Sequence, residues 1–422
     1  MKEKRKSAVS GQQKTNKLLH QNSKMQELLS KSAVLVRNLK ETFVRSLTER
    51  VDWSDRLIGI IGARGTGKTT LLLQRLKQES VRSGEAVYIT LDDLYFTEYS
   101  LLSFAEAFRA QGGRYLFIDE VHKYPTWARE IKNIYDTYRD LKIVFTGSSI
   151  TDILRQDVDL SRRAIQYELP GLSFREYLVI ERVVTLPVLP LTDILKHHAE
   201  LALDWTAQFK PLQHFTDYLT HGYYPFYSEG RQTYHLRIEQ VVKLIIESDL
   251  RYIDGFDAAN SRKLFKLLYI LATNVPFKPN ISSLSEKIGV HRNTLVQYIG
   301  HLEKARLINT LGAVGKSIST LQKPDKIFLE NPNLQFALAP TRVNRGTLRE
   351  TFLMNQLMHG QHRVSLPAAG DFYIDEEWIV EVGGKDKSAS KIQGMKKAFI
   401  AADDLEIGVD RKIPLWMFGF LY

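Results

Sequence analysis

The run Gly62-Ala63-Arg64-Gly65-Thr66-Gly67-Lys68-Thr69 sets a glycine, four residues and then Gly-Lys-Thr in one stretch. Glycines at 62, 65 and 67 let the backbone turn with its N–H groups facing inward and no side chain in the way. A concave array of donors ending in a lysine is chemistry for phosphate oxygens. Lys68 would reach the β and γ phosphates of a nucleoside triphosphate, and the Thr69 hydroxyl would join the shell of a Mg2+ ion. Ala63, Arg64, Thr66 and Thr70 complete the stretch expected to line the ligand. The run follows an apolar segment, Leu57–Ile61, and opens a helical pattern over Thr69–Glu79, the context in which such a motif is meaningful. The helix N-terminus would add partial positive charge at the same place.

Phosphate chemistry needs a second element to hold the cation and prepare water. Tyr115-Leu-Phe-Ile-Asp119-Glu120 is an apolar strand ending in two acids, about fifty residues after the loop. Asp119 would bind Mg2+ through water, and Glu120 would polarise the attacking water. A third apolar run, Lys142–Thr146, ends in Gly147-Ser148-Ser149, where a hydroxyl beside the γ-phosphate could sense hydrolysis. Ser148 is the first choice, with Thr146 and Ser149 as alternatives. Any one of them could instead cap a turn.

Positioning these groups requires alternating elements. Strands are predicted at Leu57–Ile61, Ala86–Leu91, Tyr115–Ile118 and Lys142–Thr146, with helices at Thr69–Glu79, Leu101–Gln111 and Ala128–Tyr138. This alternation predicts an α/β fold with a parallel sheet covered on both faces, the P-loop NTPase arrangement. Ahead of it, residues 1–25 are rich in Lys, Gln, Ser and Asn without an apolar period and are expected to be disordered. From Met25 to Val51 apolar residues recur at helical spacing and predict one or two helices. Beyond residue 170 the reading is helical to about 250, broken by His221-Gly-Tyr-Tyr-Pro-Phe-Tyr227. A small helical module ending in a hairpin follows over 260–322, then mixed structure with strands at Asp371–Ile374 and Trp378–Val382. The expected divisions are 1–45, 46–170, 171–255, 256–325 and 326–422.

The chain has 422 residues, 44 % apolar and 25 % charged, with a net charge of +10 and no cysteine. Disulfides and thiolate metal sites are thereby excluded. No run approaches the ~20 apolar residues of a membrane-spanning helix, and the N-terminus lacks a secretory signal's apolar core, which fits the cytoplasm. Residues 1–50 carry twelve Lys and Arg against four Glu, so most of the excess positive charge lies there. Such a leader can touch nucleic acid or an anionic surface, or can simply be solvated.

The loop, the Asp-Glu strand end and the Gly-Ser-Ser strand end together resemble an AAA+ ATPase. Leu160-Ser-Arg-Arg163 followed by Tyr167-Glu-Leu-Pro-Gly-Leu-Ser-Phe-Arg-Glu-Tyr177 is similar to a family of prokaryotic AAA+ ATPases of uncharacterised role, as is the glycine-aromatic-proline turn at 221–227. Bacteroidetes members end in Glu-Val-Gly-Gly-Lys, which stands here as Glu381–Lys385. The resemblance implies ATP as the nucleotide, a helical lid, a winged helix and a C-terminal domain similar to restriction endonucleases. It also implies an arginine finger at Arg163, in cis or from a neighbouring subunit of a homo-oligomer, with Arg162 adjacent. The alternative is a surface arginine paired with Asp157 or Asp159.

Residues 281–299 read as helix, turn at Gly289 and helix, exposing His291, Arg292, Asn293, Thr294 and Gln297. Those side chains suit a DNA major groove, although the same module can dock a protein. Glu350, Asp371, Glu381 and Lys385 are the residues from which a Mg2+-dependent nuclease could be built, with Asp371 and Glu381 as a second metal site. The usual Glu-x-Lys lysine is absent, since Gly383 stands in its place and Lys385 would serve only if the strand end bent back. The expected function is therefore Mg2+-dependent ATP hydrolysis driving a nucleic-acid- or protein-binding region. The alternatives are an ATP-gated nuclease and a binding regulator with a vestigial ATPase.

Overall fold

The computed structural model describes residues 2–40, 43–79, 84–148, 160, 162–252, 260–313 and 324–422. The chain divides into two compact units. The first holds the residues up to Gly62 together with Gly67–Leu169, and the second holds Ala63–Thr66 together with Pro170–Tyr422.

In the first unit, strands β1 (Leu57–Gly62), β2 (Ala86–Thr90), β3 (Tyr115–Asp119), β4 (Lys142–Ser148) and β5 (Ile165–Glu168) form one sheet in the order β2-β3-β4-β1-β5. Every pairing in it is parallel. Parallel strands buried on both faces read as continuous apolar runs, which is why β1, β3 and β4 were legible. Ile58, Ile60, Phe117 and Val144 pack one face with Leu71 and Leu72, while Ile89, Leu116, Ile118 and Phe145 pack the other with Phe104, Phe108, Trp127 and Ile131. Each such side chain contributes about 1.5–3 kcal/mol on burial. The covering helices follow the strands: α2 (Lys68–Gln78), α3 (Leu101–Ala110) and α4 (Trp127–Thr137). The fifth strand was not anticipated, because Ile165-Gln-Tyr-Glu is an edge strand of exposed and half-buried residues without an apolar run.

The expected disordered leader is corrected, since the backbone runs as one helix, α1, over Lys2–Arg37. Met25 and Leu28 are buried in the sheet's core, and the Tyr88 N–H donates to Ser32 Oγ at 2.9 Å. The docked turns cover the edge strand β2, whose backbone groups would otherwise be open. Helix-forming Lys, Gln and Ala residues carry the helix back from that anchor. The helix also stops at Arg37; among the described residues between there and Val51 only Leu47–Arg50 is helical.

The second unit begins with helices α5 (Phe174–Ile180), α6 (Leu191–Thr206), α7 (Pro211–His221) and α8 (Tyr234–Glu247). The aromatic turn between α7 and α8 is buried, with Tyr223, Tyr224 and Tyr227 each at most 3 % exposed. Asn333 ties it down, accepting from the Tyr223 N–H at 2.8 Å and from the Tyr234 hydroxyl at 2.5 Å. Helix α9 (Ser261–Ala272) leads to α10 (Ile281–Ile288), which ends on Gly289 at φ 75°, and to α11 (Arg292–Lys304). An antiparallel pair follows, β6 (Ile308–Leu311) with β7 (Lys326–Leu329). After α12 (Pro332–Leu338) and α13 (Arg345–His359), a mixed sheet runs in the order β12-β11-β10-β9-β8. Its strands are β8 (Val364–Ser365), β9 (Phe372–Ile374), β10 (Trp378–Gly384), β11 (Ala398–Asp403) and β12 (Lys412–Pro414).

Two histidines of this unit carry a pH dependence. His198 on α6 is 4 % exposed, and burial holds its pKa below the usual histidine range against the opposing effect of its hydrogen bond to the Asp410 carbonyl, which accepts from Nε2. His221 is lowered by burial and by His235, partly offset by Asp217. Groups kept neutral in the fold stabilise it fully above the ordinary histidine value of 6.5 and lose that contribution as pH falls through the folded pKa. Thermal unfolding of the second unit is therefore expected at lower temperature at pH 5 than at pH 7.5. His198→Gln should flatten that slope, and an unchanged slope would contradict the assignment.

Candidate nucleotide site

The loop leaves β1 at Gly62 and enters α2 at Lys68. Gly65 and Gly67 have φ of 85° and 96°, the left-handed region in which a side chain is strained. Lys68 is 6 % exposed and its Nζ donates to the Gly62 carbonyl at 2.9 Å, so the ammonium lies folded inside the loop. The Thr66 hydroxyl donates to the Ala63 carbonyl at 2.9 Å. Thr69 and Thr70, on the first turn of α2, are exposed. The tip of the loop groups with the second unit. There Arg64 forms a two-pronged pair with the buried Asp249, at 3.1 and 2.9 Å, and the Phe226 ring lies against Gly65.

Asp119 is the centre of the arrangement. Its carboxylate is 2 % exposed yet accepts from the Thr69 hydroxyl at 2.6 Å and from the Tyr88 hydroxyl at 2.7 Å. The Thr146 hydroxyl and the Glu120 N–H, the latter at 3.1 Å, donate to its other oxygen. A buried carboxylate is costly without such donors and well held with them. Burial and then the Asp119 charge raise the Tyr88 phenol far above its usual pKa, so it stays a donor. These contacts join β2, β3, β4 and α2 at one point. Thr69 and Asp119 meet beside the loop as an oxygen pair, which is the donor set a Mg2+ ion takes.

Glu120 follows with φ 56° and ψ 40°, a left-handed conformation uncommon for a non-glycine residue. Its N–H also reaches Thr146 Oγ1 at 3.2 Å, and its carboxylate lies 3.3 Å from His122 Nε2. Of the two candidate hydroxyls on β4, Thr146 and Ser148, it is Thr146 that touches the acids. The register sets Ile118 against Phe145, so Asp119 and Thr146 come next along their strands. Ser148 lies two residues beyond, and its buried Oγ has no hydrogen-bond partner among the described residues. Ser149 lies outside the described residues.

Arg163 is not brought to the loop of its own chain. It precedes β5, whose Ile165 pairs with Ile58 near the start of β1, whereas the loop follows the end of β1. Four or more residues of strand at ~3.3 Å each separate the two levels. Arg163 instead grips Asp136 on α4 at 2.9 and 3.1 Å. A finger acting in cis is thereby corrected, and Asp157 and Asp159 lie outside the described residues. Arg162 is exposed.

In the second unit Glu350, Asp371 and Glu381 do come near one another, but with lysines between them. Glu381 is fully buried, and Lys387 and Lys391 sit on its Oε1 at 2.7 and 2.9 Å. Lys326 lies 3.5 Å from Glu350 and 4.0 Å from Asp371, whose other oxygen accepts from the Val382 N–H. Burial, then Asp371, raises the Glu350 pKa; burial also works on Glu381, but its two lysines outweigh it and lower the value. The lysine missing from Glu-x-Lys is supplied from four residues further on. A Cβ at Gly383 would lie 2.5 Å from Lys387 Cγ, so the glycine clears the space through which Lys387 reaches Glu381. Lys385 is not that lysine. Three ammoniums against three carboxylates leave no net charge to draw a divalent ion. Among the described residues no group of three His, Asp or Glu could hold a metal. The expected second metal site at Asp371 and Glu381 gains no support from these contacts.

Sequence reasoning missed Tyr88, His122, Asp136, Asp249, Lys387 and Lys391. Tyr88 had a signal, because a tyrosine inside a buried strand needs a partner for its hydroxyl. The others depend on tertiary placement. Among the described residues no helix is long and apolar enough to cross a membrane.

Comparison with known proteins agrees with this geometry in the first unit. Residues 54–178 match a family described as an AAA domain, and residues 212–343 match a domain of unknown function (DUF8612). An uncharacterized protein of Methanocaldococcus jannaschii is 30 % identical over 293 residues, which cover 65 % of this chain and 61 % of that protein. The chain thus spans about three-fifths of that relative's length. RuvB of Thermotoga maritima is similar at 16 % identity and a TM-score of 0.25, covering 68 % of this chain and 89 % of that one. AMPPCP-bound DnaA of Aquifex aeolicus is similar at 16 % identity and a TM-score of 0.25, covering 59 % and 82 %. The parallel sheet, the phosphate loop and the AAA-domain match make the first unit a P-loop NTPase α/β domain with an ATPase-type function.

Proposed function

We propose that this chain is an ATP-driven switch that binds ATP with Mg2+, hydrolyses it, and uses the cycle to reposition a nucleic-acid- or protein-binding second unit. The observation that carries the reading is the meeting of Thr69 and Asp119 at 2.6 Å beside the phosphate loop, with Glu120 next in the chain. Loop N–H groups and Lys68 would hold the phosphates, while Thr69 and Asp119 would hold Mg2+. The ion would supply positive charge to the phosphate oxygens. Glu120 would take the proton of the attacking water, with Thr146 or Ser148 beside the γ-phosphate. Arg163 would serve the site of a neighbouring copy in a homo-oligomer, leaving Asp136 to do so. ATP is preferred over GTP on the AAA-domain match and the lack of an Asn-Lys-x-Asp segment.

Support for coupling comes from the loop tip, because Arg64 is paired with Asp249 of the second unit, to which residues 63–66 themselves belong. The partner-binding part would be a winged helix formed by α10, α11 and the β6–β7 pair, followed by an endonuclease-like domain. His291, Arg292, Asn293 and Gln297 are exposed on or just before α11, the positions that would face double-stranded DNA or a docked protein. The nuclease alternative is not favoured, since the lysine-paired Glu381 leaves the carboxylate cluster neutral.

With Mg2+ present, Lys68→Ala should weaken ATP binding about tenfold or more, by loss of the charge-assisted phosphate contact. Glu120→Gln should keep ATP binding and lower phosphate release about 100-fold. Wild-type rates in both variants would defeat the reading. If Arg163 acts between copies, mixing Arg163→Ala with Lys68→Ala should restore part of the activity that each lacks alone. Supercoiled plasmid should stay intact with ATP and Mg2+; nicking that disappears in Asp371→Ala would reinstate the nuclease.

A further inference from the structure

Glu120 carries a long flexible side chain, and a general base works only where it is held against its water. Its backbone is fixed, because the N–H is shared between Asp119 Oδ1 and Thr146 Oγ1 and the carbonyl accepts from the Lys123 N–H at 2.9 Å. That turn, Val121–Lys123, carries His122 back under the site with its side chain 4 % exposed. The Ser148 N–H points at His122 Nδ1 at 3.3 Å, so Nδ1 is the accepting nitrogen. In a neutral imidazole the proton then belongs to Nε2. Nε2 is the atom that lies 3.3 Å from Glu120 Oε2. The ring therefore spans from the end of β4 to the Glu120 carboxylate, with Nε2 within ion-pair distance of Oε2 though not aligned as a hydrogen bond to it.

We propose that His122 is a positioning residue for hydrolysis. Its Nε2–H holds the Glu120 carboxylate in the orientation that receives water's proton, and the Ser148 N–H at the end of β4 fixes the tautomer that makes this possible. The inference rests on the reading of Glu120 as the base. The 3.3 Å separation is a loose contact that substrate would tighten, as is usual for catalytic hydrogen bonds without ligand. The consequence lies in turnover rather than affinity, since His122 would act only through Glu120. Misplacing a reacting group by about 1 Å is enough to lower a rate about 100-fold.

The test uses the full chain and steady-state ATP hydrolysis with Mg2+, alongside equilibrium ATP binding. His122→Phe keeps an aromatic ring and removes the donor. It should lower kcat about 10- to 100-fold with KM and ATP affinity unchanged. His122→Gln restores an N–H donor and should recover most of the rate. In a Glu120→Gln background, His122→Phe should cost nothing further, because both changes break one unit. A wild-type kcat in His122→Phe while Glu120→Gln is inactive would overturn the role of His122 alone. Parallel losses of kcat and ATP affinity, or an additional loss in the Glu120→Gln background, would overturn it too. Full activity in Glu120→Gln would overturn the base assignment, and the proposal for His122 with it.

Discussion

Everything in the first unit converges on one buried carboxylate. Asp119 stands at the end of the sheet's second strand, and its charge is tolerated only because hydroxyls from α2, β2 and β4 and one backbone N–H turn toward it. The parallel register fixes which residues those are, since pairing Thr90 with Asp119 and Ile118 with Phe145 brings Tyr88 and Thr146 within reach. The same register brings Gly62 beside Ser148 and so sets the phosphate loop next to the acids. Moving any of these strands by one residue would strand the charge without donors and turn Thr146 to the other face.

The second unit meets the same physical problem with a different solution. Glu381 is as buried as Asp119, but ammoniums rather than hydroxyls compensate it. Neutral donors leave a net negative charge that a cation can still be drawn to. Ammonium partners remove it, and taking one away would leave a buried charge unpaired. Two carboxylate sites of similar burial are therefore compensated in opposite ways, one by neutral donors and the other by its own lysines. Gly383 is the residue that permits the second arrangement, by leaving room for Lys387.

The phosphate loop and Asp119 were readable because glycines, an apolar strand and a terminal acid report on backbone geometry and burial at short range. The α/β fold was readable for the same reason. Strand β5 was not, because a half-exposed edge strand has no continuous apolar run. The leader helix was misread since its polar composition lacks a period, while the anchor that orders it, Met25, Leu28 and Ser32 against β2, is a tertiary contact. Arg163 was identified as a candidate, but its partner Asp136 lies 27 residues away on a helix whose packing the sequence does not encode locally. Lys387 was hidden because the motif looks for a lysine at Gly383, whereas the lysine that reaches Glu381 comes from four residues further on, through the space that glycine leaves.

The most direct test of the central role of Asp119 is ATP hydrolysis followed across a Mg2+ titration, for wild type and Asp119→Asn, with the fold of each checked by circular dichroism. The asparagine keeps the size and part of the hydrogen bonding but removes the charge that would draw the ion. Wild type should hydrolyse ATP with saturable Mg2+ dependence, and the variant should be slower by about 100-fold or need far more Mg2+. A folded Asp119→Asn protein with the wild-type rate and the wild-type Mg2+ response would contradict the account.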